Sequence, residues 1–172
     1  MAERAMRHLS LPTWSRTLEW SVMGLVVAIL VVAFMHYTRV LQGQGEYAAV
    51  RSTLGALRTA LVIDHLQRVT AKISNKGAAD AVLNEPRNPF ELLQQRPANY
   101  SGLASRQQAE MVLPGTWVFD PACPCIGYRP LDDRWFDSPS GELMAWFQLQ
   151  GAPGPLQLTG KEIYRWQGQL LD

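Results

Sequence analysis

The sequence predicts an α+β protein in which one long N-terminal helix packs on a small antiparallel sheet. Two observations predict this class. Residues 20–35 form an uncharged apolar run that passes directly into an amphipathic helical pattern, and beyond residue 114 short β-like runs alternate with turn residues. One long helix followed by a meander of strands is typical of α+β folds, in which the apolar stripe of the helix covers one face of the sheet.

The apolar run is predicted to anchor the chain in a membrane. A bilayer-crossing helix needs about 20 mostly apolar residues, and residues 18–37 supply that length with Glu19 and His36 near the edges. Trp20 and Tyr37 bracket the run, as interfacial aromatic residues do. The alternative is a cleavable secretory signal, whose apolar core is usually about 7–15 residues long and ends at a small-residue cleavage site. The longer run without such a site favours an uncleaved anchor.

The anchor sets the predicted organisation of the chain. Three arginines precede the span and two follow it closely, so the positive-inside bias favours a cytoplasmic N-terminus. About 135 residues remain after the anchor, which suffices for one domain. The predicted segments are a cytoplasmic N-terminal segment 1–17, a transmembrane helix 18–37, an amphipathic helical extension 38–75, and a loop-rich crossover with a C-terminal β domain 76–172.

The extension carries two apolar stripes. The first recurs at spacings of three and four residues, the pattern of an amphipathic helix, and consists of Tyr47, Val50, Leu54, Leu57 and Leu61. A straight helix drifts against a seven-residue repeat, and a second stripe of Val62, Leu66, Val69 and Ile73 is expected to take over one residue further round. Residues 75–77, Asn-Lys-Gly, supply a helix stop signal.

Residues 76–113 are predicted to form the crossover, with one short helix. Asn88 suits the N-cap, Pro89 suits the first helical position, and Glu91 lies where a capping-box carboxylate belongs. The expected buried face consists of Phe90, Leu92 and Leu93. The predicted strands are residues 116–119, 126–129, 143–149, 156–158 and 163–166, because these runs have β-forming composition. Proline, glycine and serine residues separate them.

The layout resembles the type IV pilin and pseudopilin superfamily. Thr17, Leu18 and Glu19, directly before the apolar run, look like the start of a pilin helix with Glu19 in the place of its carboxylate. Residues 88–93, Asn-Pro-Phe-Glu-Leu-Leu, are similar to a segment that follows the helix in major pseudopilins. Residues 115–121, Gly-Thr-Trp-Val-Phe-Asp-Pro, followed by Ile-Gly-Tyr-Arg at 126–129, resemble the first strands of their sheet.

The resemblance implies a non-enzymatic, pilin-like protein that takes part in assembling a type IV pilus or a type II secretion pseudopilus. Its partners would be pilins or pseudopilins, inner-membrane assembly proteins and the lipid bilayer. Glu19 would make an assembly contact between subunits. The implied location is a bacterial inner membrane, crossed once, with the C-terminal domain in the periplasm.

One position departs from the pilin pattern. Pilin precursors are cut after a glycine a few residues before the carboxylate, whereas the corresponding position here holds Trp14, and the first glycine is Gly24. We therefore expect the N-terminus to be retained. This favours an accessory component, and a pilus of the mannose-sensitive haemagglutinin type would be one such setting.

Cys123 and Cys125 are the only cysteines and flank Pro124. An oxidising periplasm favours a disulfide between them, although a Cys-x-Cys ring is tight. Two inert thiols and a redox pair are the alternatives. A metal site needs more ligands than this pair offers, and the Cys-x-x-Cys-His of haem attachment is absent. No metal and no cofactor are expected.

Other chemistry is poorly represented in the sequence. His8, His36 and His65 are scattered, and no nucleophile-elbow, phosphate-loop or zinc-protease motif occurs, so no catalytic residues are predicted. The net charge of +1, without a run of basic residues, argues against nucleic acid as a partner. Two alternatives stay open: a membrane-anchored periplasmic scaffold or binding domain unrelated to pili, and a redox protein that uses the cysteine pair. Four tryptophans are expected in the core rather than in a binding groove: Trp117, Trp135, Trp146 and Trp166.

Overall fold

One helix, α1 (Trp14–Ser74), dominates the computed structural model, which describes residues 14–74, 88–151 and 155–171. The helix begins four residues before the predicted span. The expected stop signal at residues 75–77 lies outside the described residues. The chain divides into two compact units, Met1–Gln42 and Gly43–Asp172, and α1 contributes to both. The second unit holds all the strands.

The first apolar stripe of α1 forms the core of the second unit, as predicted. Val50, Leu54, Leu57 and Leu61 are each at most 2% exposed. They pack in one cluster with apolar residues of the strands, and Tyr47, the first member of the predicted stripe, packs partly buried against that cluster. The spacing places them on one side of the helix over about 16 Å, at ~1.5 Å per residue. This row of four residues is the apolar seam between helix and sheet.

The prediction that the second stripe takes over is wrong for its described members. Val62, Leu66 and Val69 are 46%, 58% and 41% exposed, so the seam ends at Leu61. The strands are only two to six residues long, and the helix continues beyond the sheet that they form. The side chain of Ile73 lies outside the described part.

Eight strands form two sheets in the described residues. They are β1 (Tyr100–Leu103), β2 (Trp117–Asp120), β3 (Cys125–Tyr128), β4 (Phe136–Asp137), β5 (Ala145–Gln150), β6 (Gln157–Gly160), β7 (Tyr164–Trp166) and β8 (Gln169–Leu171). The larger sheet has the order β1-β2-β3-β5-β6, and the smaller has the order β4-β7-β8. All pairs are antiparallel except β1 with β2, which is parallel. The α+β class is confirmed.

The larger sheet is covered on both faces because successive strand residues point to opposite sides. On β2, Trp117 and Phe119 pack with the helix seam. Val118 between them packs on the other face with Met144 and Trp146. Partly buried residues of the preceding segment, which includes a 3₁₀ turn at Arg106–Met111, pack on that second cluster.

The short helix predicted within the crossover is a single 3₁₀ turn, Pro89–Glu91. Asn88 caps it as predicted, since its side-chain oxygen accepts a hydrogen bond from the backbone N–H of Phe90 at 3.1 Å. Phe90 is fully buried, and Leu92 and Leu93 pack partly buried against the core. The turn therefore attaches this part of the crossover to the helix side of the sheet.

Candidate functional site

The apolar first part of α1 is one candidate. It is the one helix in the described part of the chain that is long and apolar enough to cross a membrane. Its side chains are exposed all round, from Leu18 at 60% to Tyr37 at 66%. A helix that is apolar on every face belongs in an apolar environment, so this part has the character of a membrane span.

Glu19 lies on this part of the helix, one turn from its start, and is exposed. Among the described residues no cation forms an ion pair with it. A carboxylate on an otherwise apolar helix is costly to desolvate unless positive charge or hydrogen-bond donors accompany it.

The second candidate is the helical turn that opens the second unit, here called the Glu46 turn: Gly43, Glu46 and Tyr47. Each of these residues is hydrogen-bonded to a different part of the β domain. The Trp166 indole N–H donates to the Gly43 carbonyl at 2.9 Å, and the Tyr47 hydroxyl donates to the Leu170 carbonyl at 2.8 Å. Polar contacts thus fix the start of this unit's helix, before the apolar seam begins.

Glu46 makes the central contact of the turn and is only 9% exposed. Its Oε1 accepts hydrogen bonds from the Tyr128 hydroxyl at 2.7 Å and from the Leu131 backbone N–H at 2.9 Å. Its Oε2 is buried without a hydrogen-bond partner among the described residues. The carboxylate therefore has one satisfied and one unsatisfied oxygen inside the protein, an arrangement that is costly for a charged group.

The surroundings shift the pKa values of both Glu46 and its hydrogen-bond donor Tyr128. Burial raises the pKa of Glu46; the two donated hydrogen bonds oppose this rise, and the nearby Asp132 carboxylate adds to it. Burial also raises the pKa of Tyr128 far above its usual value, and the hydrogen bond to Glu46 and the charge of Glu46 raise it further. Tyr128 is therefore a neutral donor at every physiological pH.

Aromatic rings connect the Glu46 turn to the rest of the core. Tyr128 lies 4.6 Å from Trp117 and 6.2 Å from Trp166, measured between ring centroids. Trp117, Trp146 and Trp166 are at most 1% exposed, and Trp135 is partly buried against the same core. These four tryptophans thus pack in or against the core, as the sequence predicted.

The cysteine pair lies at the turn between β2 and β3. The structure joins Cys123 and Cys125 in a disulfide, with Cys125 fully buried and Cys123 half-buried. Asp120, at the end of β2, accepts a hydrogen bond from the Ala122 backbone N–H at 2.9 Å within the same turn. The described residues contain no group of three or more His, Cys, Asp or Glu side chains placed to hold a metal.

Two other polar groups have structural partners. Glu162 accepts hydrogen bonds from the Ser140 and Ser138 hydroxyls at 2.9 and 2.8 Å, which lower its pKa and fix the loop after β4. Asp132 caps the following 3₁₀ turn through the Arg134 backbone N–H and also pairs with the Arg134 guanidinium. His65 is half-buried on α1, His36 is exposed, and His8 lies outside the described residues.

Comparison with known proteins adds no family. No protein-family model, no curated protein and no solved structure matches the chain. A long N-terminal apolar helix followed by a small sheet is compatible with a pilin-like fold, and this compatibility is the extent of the structural support for the resemblance.

Sequence reasoning missed the Glu46 turn. The signal was present, because Glu46 lies four residues before Val50 and so on the buried side of the helix. A lone carboxylate on the apolar side of an amphipathic helix marks a buried polar contact. Its two donors, Tyr128 and Leu131, lie more than 80 residues away along the chain, and no local pattern identifies them.

Proposed function

We propose that the protein is a non-enzymatic, membrane-anchored, pilin-like component that takes part in assembling a type IV pilus or the pseudopilus of type II secretion. The observation that carries the proposal is the layout of α1. Its first part is apolar and exposed on every side, and its later part packs on a small sheet through the apolar seam. This layout supports a helix that acts by packing against other membrane helices.

The chemistry of the exposed helix supports such partners. Lipid tails are as apolar as leucine, so helices associate in a bilayer through small residues that allow close approach and through polar contacts. Ser21, Gly24 and Ala28 lie on one side of the helix at spacings of three and four residues. Glu19 lies near the other side and offers a carboxylate for a polar contact. Pilins, pseudopilins and inner-membrane assembly proteins would provide the complementary helices.

The proposed placement is a bacterial inner membrane, crossed once, with the β domain in the periplasm. The arginines before the span and the disulfide at the β2–β3 turn support this orientation. Trp14 in the place of the usual cleavage glycine supports a role as an accessory component that keeps its N-terminus.

Deletion of the gene tests the function. We expect the deletion to reduce surface pili or filament-dependent secretion, and we expect the wild-type gene to restore them. A Cys123→Ser, Cys125→Ser double variant should also restore them, because the pair connects only one tight turn. Electron microscopy of surface filaments and assays of adhesion and secretion give the readouts, with immunoblots as the control for protein level.

Two outcomes would contradict the proposal. Normal filaments and normal secretion in the deletion strain would favour an envelope scaffold unrelated to pili. A double serine variant that is abundant and folded but fails to complement would instead favour redox chemistry at the cysteine pair.

A further inference from the structure

The Glu46 turn differs from the apolar seam in the kind of interaction that holds it against the sheet. The apolar seam buries four aliphatic side chains against the sheet. The Glu46 turn is held by hydrogen bonds to residues of β3, the loop after β3, β7 and β8, and only Tyr47 of the turn also packs against the apolar core. The two contacts therefore respond differently to a change of charge.

The backbone of this turn is intrinsically weak as a helix. Gly43 and Gly45 each cost about 1 kcal/mol of helix stability relative to alanine. A larger residue would not fit at Gly43 without movement of its neighbours. A Cβ atom there would come 3.0 Å from a ring carbon of Trp135 and closer still to the side-chain amide of Gln167. At Gly45 a Cβ atom would meet nothing within 4 Å. The polar contacts thus hold a segment whose own helix propensity is low.

We propose that the Glu46 turn is a releasable latch, which detaches from the sheet when Glu46 carries its charge while the apolar seam stays docked. In the docked state the charge is enclosed with Oε2 unsatisfied. In the released state water solvates both oxygens. The proposal concerns the second unit alone and does not depend on which filament system the protein serves.

The groups that face Glu46 determine the sign of the effect. Tyr128 of β3 donates a hydrogen bond and stays neutral. Asp132 of the following loop is negative and repels the carboxylate, although it is itself paired with Arg134. Trp166 of β7 contributes a neutral indole to the same turn. Burial and Asp132 therefore oppose the charged form, and the hydrogen bonds only partly offset them.

The pH dependence follows from the raised pKa of docked Glu46. Protonation favours the docked turn, so docking is tightest below the usual value of 4.5 and weakens as pH rises through the raised pKa. Above the raised pKa the docking equilibrium levels off. Each unit by which docking raises the pKa corresponds to about a tenfold change in that equilibrium.

Hydrogen exchange in the full chain, in detergent micelles, tests the latch. The reporters are the Trp166 indole N–H and the Leu131 backbone N–H, both donors to the turn, and the reference is the backbone N–H of Ile126 in the centre of the sheet. After correction for the chemical exchange rate, we expect opening at both reporters to increase with pH from about 4.5 and then to level off, while Ile126 stays protected.

Matched variants identify the group responsible. Glu46→Gln should make opening at the reporters independent of pH over the same range, whereas Glu110→Gln, the same substitution at an exposed position, should behave like the parent. If opening at the reporters increased with pH in Glu46→Gln as it does in the parent, the proposal would be overturned. A rise at Ile126 equal to that at the reporters would also overturn it, because the event would then be global unfolding.

A second measurement keeps the test decisive should Glu46→Gln fail to fold. The ¹³C carboxyl resonance of Glu46 in the wild-type chain should titrate above pH 4.5. This titration should be complete at the pH at which opening of the reporters levels off. Titration at the usual value, or a curve unrelated to the exchange curve, would contradict the latch.

Discussion

Leu57→Asp should unfold the second unit. Leu57 is fully buried in the middle of the apolar seam, so the variant places a carboxylate among aliphatic and aromatic side chains with no partner at that position. Burial of an unpaired charge costs several kcal/mol, which is comparable to the whole stability of a domain of this size, about 5–15 kcal/mol. Thermal melts of the full chain in micelles, followed by tryptophan fluorescence, provide the measurement.

Leu66→Asp is the matched control. Leu66 lies on the same helix and is 58% exposed, so its carboxylate remains in water and the melt should resemble that of the parent. Equal loss of stability in the two variants would contradict the seam, as would a Leu57→Asp protein that melts like the wild type. Either result would mean that another face of α1 packs on the sheet.

Gly127→Val should be the second strongest perturbation. Gly127 lies in β3 opposite Trp146 of β5, and a Cβ atom there would come 2.7 Å from Cζ3 of the Trp146 ring and 2.9 Å from Cε of Met144. The methionine terminus can move, but the indole is 1% exposed and is enclosed by the second apolar cluster. Overpacking of this kind typically costs about 1–3 kcal/mol or more, and we expect a correspondingly lower melting temperature.

Gly45→Ala tests the reasoning in the opposite direction. Gly45 is helical and exposed, and a Cβ atom there has open space. Alanine should therefore stabilise the helix by about 0.5–1 kcal/mol.

A Gly127→Val protein as stable as the parent would show that the Trp146 ring does not cover β3, and would contradict the described packing of this sheet face.

The sequence predicted the elements that have local signals. The 3,4 spacing of Val50, Leu54, Leu57 and Leu61 identified the seam, because periodicity on a helix reports burial directly. The five predicted strands correspond to β2, β3, β5, β6 and β7, with ends shifted by at most two residues. Asn88 and Pro89 marked the 3₁₀ turn, since capping chemistry is local.

The elements that were not predicted depend on tertiary partners. β1, β4 and β8 are two to four residues long, and their sequences hold too few alternating residues to differ from loop. The pairing of β1 with β2 is parallel, although the sheet was expected to be antiparallel throughout. The second stripe, including Val62, was expected to be buried, but periodicity alone does not reveal where the sheet ends.

The candidate sites also divide into those with a local sequence signal and those that depend on tertiary partners. The apolar run and the cysteine pair are local features of the sequence. Glu19 was singled out by the pilin resemblance, and its role as an assembly contact stays a prediction. The Glu46 turn was missed because its partners, Tyr128 and Leu131, are brought to it only by the fold. Long-range hydrogen bonds of this kind have no signature in a single sequence.

Photo-crosslinking in the native membrane tests the central claim most directly. A photoreactive phenylalanine analogue at Val26, seven residues after Glu19 and so on the same side of α1, would capture whatever packs against this face in living cells, and Val31 on another side provides the comparison. We expect the Val26 adduct to contain a pilin or pseudopilin, or an inner-membrane protein of their assembly machine, identified by mass spectrometry. Adducts with lipid alone, or with membrane proteins unrelated to filament assembly, would contradict the account.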